Sequence, residues 1–130
     1  MNEGTDVSIF ATGHLVWEAI QAAIQLQKQG ISAEIINIHT IKPLDKMAVL
    51  RSIAKTGCAV TAEEHMMNGG LGDSIAQLLA LEYPAPVEMV AVYDKFGESG
   101  TPAQLMDKYG LNASSIVDKT LKVIQRKKKS

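Results

Sequence analysis

The densest group of ionisable side chains in the sequence is Glu63, Glu64 and His65. Three kinds of chemistry fit those residue types: a carboxylate–imidazole acid/base pair, half of a metal site, or a polar loop that contacts another chain. An acid/base pair is disfavoured, because two adjacent carboxylates raise each other's pKa unless a cation partners them. Zinc needs a third and a fourth ligand, and the only other histidines are His14 and His39. His39 follows an apolar run and reads as a loop histidine. The reading adopted is a hydrogen-bonded loop at a domain or subunit boundary, facing a crevice formed with Gly13 and His14. No residue is assigned a catalytic, cofactor-binding or metal-binding role.

Gly69, Gly70 and Gly72 precede a helical pattern, and backbone amides at a helix start attract anions. The spacing does not support a phosphate cradle: a dinucleotide fingerprint would need glycine where Ile75 stands, and a phosphate loop would need a lysine. Asp73 in the first turn would repel an anion. The glycines are therefore expected to make a tight turn with close helix–sheet packing. Cys58 opens an apolar run with no basic neighbour to lower its pKa, which marks it as a core residue rather than a nucleophile. Trp17 sits one residue off an apolar stripe, and Met66 with Met67 adjoins a charged loop; composition leaves interface and core both open for them. Residues 126–129, Arg-Lys-Lys-Lys, suit the solvated carboxyl end of a helix, where the dipole favours cations.

The elements that would hold these residues alternate between two periods. Residues 6–12, 33–38, 58–62 and 87–92 are short β-branched or apolar runs that read as strands. Between them, residues 15–29 carry helical apolar spacing ending at Gly30, Asp45 caps a helix that ends at Gly57, and a third helix follows Gly72 and stops before Pro84. After the fourth strand, Thr101-Pro102 starts a short helix ending at Gly110, and Asn112 caps the last helix with Ile116, Val117, Leu121 and Ile124 on one stripe. Right-handed crossovers then imply an α/β fold of three α/β/α layers around a mainly parallel sheet, in the order second, first, third, fourth. That order places Gly13, His14, Glu63, Glu64 and His65 at the carboxyl ends of the first and third strands.

Composition bounds the function classes. The 130 residues suit one domain, 1–130, and 46% hydrophobic with 21% charged residues is globular. Thirteen Lys and Arg against fourteen Asp and Glu leave a net charge of −1, so the whole-domain positive field used by nucleic-acid binders is missing. One cysteine precludes an intramolecular disulfide and a multi-cysteine zinc site. No apolar run approaches the roughly 20 residues of a membrane span, and the expectation is a soluble, cytoplasmic protein without nucleic-acid or membrane partners.

Five segments in order, residues 6–13, 38–45, 61–65, 69–72 and 96–100, the last followed by Leu105, Tyr109 and Gly110, resemble the carboxyl-terminal domain of the transketolase family. That family also includes deoxyxylulose-phosphate synthases and the beta subunits of 2-oxoacid dehydrogenases. The resemblance implies a four- to five-stranded sheet, the fifth strand antiparallel at one edge, and only five residues precede the first strand here. It implies an excised domain or a short gene product whose diphosphate- and pyrimidine-binding domains lie elsewhere. Thiamine diphosphate and magnesium would belong to those parts, not to this domain. The implied role is assembly within an enzyme that moves a two-carbon ketol unit between sugar phosphates, inactive in isolation, with the thiamine-binding domains or subunit and further copies of itself as partners. Two alternatives stand beside it: a partner-docking domain of a 2-oxoacid dehydrogenase beta subunit, and a free-standing small-ligand module. With no antiparallel strand, residues 33–38 are expected to form a bare apolar edge that promotes self-association.

Overall fold

A computed structural model describes residues 4–13, 15–38, 44–64, 70–92 and 102–129, with backbone alone at 64, 91–92 and 102–112. In chain order the elements are β1 (Val7–Ala11), α1 (Leu15–Gln27), β2 (Ala33–Asn37), α2 (Lys46–Thr56), β3 (Ala59–Glu64), α3 (Leu71–Glu82), β4 (Val87–Val92) and α4 (Pro102–Lys129). The strands form one sheet in the order β2-β1-β3-β4, every pair parallel, with Ile9 opposite both Ile35 and Val60 and Thr61 opposite Met89. This is the expected α/β fold with the expected strand order.

The sheet is covered on both faces, and β1 shows why. Its five residues are all buried, so the alternation of a half-exposed strand is missing and the run is continuously apolar apart from Ser8. Val7, Ile9 and Ala11 point into a core shared with α1, α4, Ile35 and Val60, whereas Phe10 packs with Val49, Ile53, Leu71 and Ile75 of α2 and α3. Helix ends follow local chemistry. The Asp45 carboxylate accepts from the Ala48 amide at 3.1 Å, and Gly57 takes a left-handed φ of 77° while its amide donates to the Ile53 carbonyl.

Two expectations are corrected. The third strand continues to Glu64, so Glu63 and Glu64 stand on β3 and not in the loop after it. The two helices expected after the fourth strand are one, because Gly110 and Asn112 keep helical backbone within α4. A glycine costs a helix interior only about 1 kcal/mol, and the anchored second half, with Ala113, Ile116, Val117, Thr120 and Val123 buried, offsets that. The sheet itself is as expected, four strands among the described residues with every pair parallel. The basic carboxyl end also does more than face water. Arg126 donates to the Val87 carbonyl and pairs with Glu88, which Lys119 and Lys122 also approach, and the Lys127 ammonium donates to the Asp6 and Thr56 carbonyls at 2.9 Å each.

A polar seam crosses the apolar interior under α2. Ser8 Oγ lies 2.6 Å from both Ser52 Oγ and Thr56 Oγ1, and next to Ser8 on the sheet the buried Glu34 side chain pairs with Lys55. Burial pushes the Glu34 carboxyl up, but hydrogen bonds from Lys55 and Ser52, the Lys55 charge and the Gly4 amide outweigh it and hold the carboxyl below its ordinary value. Glu88 is lowered in the same way: burial raises it, and Arg126, Lys122 and Lys119 overcome the rise. A carboxyl depressed by folding contributes stability above its unfolded pKa and loses it as pH falls through the folded value. Denaturant midpoints should therefore hold steady from pH 7 down to the ordinary carboxylate range and fall below it. Glu34→Gln should cost on the order of 1 kcal/mol at pH 7 and flatten the acid limb, as urea titrations at pH 7 and pH 3.5 would show.

Candidate functional site

The sheet order has a reversal point. α1 leaves β1 to cover one face and α3 leaves β3 to cover the other, so the carboxyl ends of β1 and β3 border a crevice, the usual ligand position in open α/β sheets. The Thr12 amide donates to the Ala62 carbonyl at 3.2 Å, which ties the two strand ends together. Gly13 follows with a left-handed φ of 57° and is exposed at the start of α1. Of the five residues expected here, Gly13 and Glu63 are brought to the same end of the sheet and Glu64 ends β3; His14 and His65 lie outside the described residues, as do His39, Met66 and Met67.

Glu63 does something the sequence reading did not foresee. Its Oε2 accepts from the amides of Gly70 and Leu71 at 3.2 and 3.0 Å, and its Oε1 accepts from the Gly72 amide at 3.2 Å. The first turn of α3 carries unpaired amides and a partial positive charge, and the residue at its cap, Gly70, has no side chain to satisfy them. A carboxylate arriving from the end of β3 supplies the acceptor. The readable signal was an acid at a strand end followed by a helix whose own cap position is glycine.

This arrangement decides what the site can do. Both carboxylate oxygens of Glu63 are engaged by amides at the start of α3. The same contacts fill the anion-attracting end of α3, so the glycine turn is a closed cap. The helix–sheet contact is tight at that point: a Cβ on Gly72 would lie 2.8 Å from Met89 Sδ and 3.2 Å from Thr61 Oγ1. Thr61 Oγ1 is the one buried side-chain oxygen among the described residues without a hydrogen-bond partner. Cys58 is a core residue, as expected; burial pushes its thiol up, ahead of a lowering by Lys127 and a further rise from Asp6, and its Sγ lies 3.3 Å from the Asp6 carbonyl.

A family model for the transketolase carboxyl-terminal domain matches residues 1–116. The chain belongs to that family. It is 49% identical over 127 residues to the 6-deoxy-6-sulfo-D-fructose transketolase subunit SqwH of a Clostridium species, covering 98% of this chain and 39% of that one. It is 39% identical over 120 residues to a 1-deoxy-D-xylulose-5-phosphate synthase of Geobacter sulfurreducens, covering 91% of this chain and 19% of that enzyme. A solved structure described as a split-gene transketolase, inactive beta4 tetramer, superposes with a TM-score of 0.82 at 44% identity over 95% of this chain and 41% of that one. The chain thus spans between a fifth and two fifths of these relatives.

The transketolase-family fold raises the question of a diphosphate and its metal. The described residues do not fit them: the one helix start lined by glycines is taken by Glu63, and no group of three or more His, Cys, Asp or Glu among them could hold a metal ion. No helix of the described residues is long and apolar enough to cross a membrane.

Removing the Glu63 carboxylate should release three amides at once. Glu63→Ala is expected to cost about 2 kcal/mol, the upper part of the capping range, and Glu63→Gln less because one acceptor oxygen remains. The opposite sign is expected at Thr61→Val, which removes an unpartnered buried hydroxyl at constant shape and should be neutral or stabilising by about 1 kcal/mol. Urea denaturation, with amide exchange at residues 70–72 to localise the loss, checks both.

Proposed function

We propose that this chain is one domain over residues 1–130 and serves as the assembly component of a thiamine-diphosphate-dependent enzyme of the transketolase type, transferring a two-carbon ketol unit between sugar phosphates. The observation that carries the reading is the family match over residues 1–116, with relatives that are themselves named as transketolase subunits. Glu63 supports a non-catalytic role, since its carboxylate is a structural cap at the place where a phosphate-binding glycine turn would act. Thiamine diphosphate and magnesium would be held by the partner domains or subunit. The solved relative described as a split-gene transketolase, inactive beta4 tetramer, supports self-association of this chain, and the cytoplasm is the compartment proposed for it. The end of the sheet that carries Gly13, His14, Glu63, Glu64 and His65 would then be a boundary with that partner.

The test is to assay the purified chain with thiamine diphosphate, magnesium, a ketose-phosphate donor and an aldose-phosphate acceptor, alone and then with the thiamine-binding chain that co-purifies with it. No turnover is expected alone, and turnover is expected on recombination. Turnover by the 130 residues alone would overturn the assignment. On recombination, His65→Ala should weaken subunit association or heat stability at least as much as it slows the chemical step, read by titrating one chain with the other.

A further inference from the structure

The outer face of α1 carries a stripe that its own core does not use. Trp17 is 62% exposed and Ile24 46%, and with Gln21 between them and Lys28 just past the helix end they fall at positions i, i+4, i+7 and i+11, within a narrow sector of the helix. A large aromatic and a branched apolar side chain on either side of Gln21 is the composition of an interface centre.

The order of residues along the stripe points to its occupant. Reversing a second copy about a two-fold axis midway between Gln21 and Ile24 sets Trp17 against Lys28 of the second copy and Gln21 against Ile24 of the second copy, and each contact recurs by symmetry. A lysine ammonium over an indole face is attractive. A parallel pairing would instead bring Lys28 to Lys28. The helix dipoles also oppose one another only in the antiparallel arrangement.

We propose that α1 is a self-association surface on which a second copy of this chain packs antiparallel, through Trp17, Ile24 and Lys28. The proposal rests on the self-association included in the proposed function and names the surface that performs it.

Trp17 is the only tryptophan of the chain, so its fluorescence reports on this contact directly. Sedimentation and emission spectra are taken together from sub-micromolar to about 100 µM, with Ile24→Glu and Lys28→Glu as variants that keep the reporter. Wild type is expected to associate with an emission shift to shorter wavelength. Ile24→Glu should weaken association about thirtyfold and Lys28→Glu by a smaller factor, both with unchanged thermal unfolding of the monomer. Association without an emission change, or with equal strength in Ile24→Glu, would overturn the α1 surface and leave self-association standing. A wild-type chain that stays monomeric with exposed-tryptophan emission overturns the second copy as occupant, and the recombination assay tests the transketolase reading separately.

Discussion

A strand buried on both faces has no solvent side on which to place polar residues, and every other element must be arranged to keep it dry. β1 is that strand: it is flanked by β2 and β3, and its side chains enter two separate cores. Parallel pairing on both sides requires crossovers, and right-handed crossovers from a central strand send the first helix to one face and a later one to the other. The reversal at the carboxyl ends of β1 and β3 is therefore a consequence of burying β1. The crevice arises from the same constraint that makes the core.

Polar groups inside such a structure must find partners without water, and they do so at the places where elements meet. Ser8 is the polar exception on β1, and the hydroxyls of Ser52 and Thr56 on α2 receive it. Lys127 near the end of α4 meets the last carbonyl of α2 and the carbonyl of Asp6, so three elements converge on one ammonium at the amino-terminal edge of the sheet. Glu63 does the equivalent at the opposite edge, joining β3 to α3. These contacts set the position of each helix along the sheet, which apolar contact alone leaves loosely determined because it has no direction.

What could be read from the sequence follows from the range of the interactions involved. Asp45 and Gly57 act within four residues of themselves, and both ends of α2 lie where local rules put them. Strand order followed from periodicity and handedness. Glu63 escaped the reading because its partners are seven to nine residues away, and the run Glu63, Glu64, His65 reads locally as a polar boundary loop rather than as the end of a strand. Gly110 misled for the reverse reason: a local stop signal was overridden by anchorage of the following turns against the sheet. Trp17 was ambiguous because a residue one step off an apolar stripe changes sides with a small rotation of the helix, and only the packing of α1 on α4 and the sheet sets that rotation.

The same reasoning bears on the end of the sheet where open α/β folds ordinarily hold a ligand. At the reversal point of an open α/β sheet, the ligand is ordinarily held by the free amides that begin a helix and by the absence of side chains in the turn before it. Here the Gly70, Leu71 and Gly72 amides at the start of α3 meet a carboxylate on the adjoining strand, 3.0–3.2 Å away. An external anion would have to displace a group whose effective concentration is set by the backbone, with Asp73 adding repulsion in the same turn. Outward-facing apolar side chains remain on several elements, Trp17 and Ile24 on α1 among them. Large exposed apolar side chains of that kind suit contact with another polypeptide, which is the role proposed for α1.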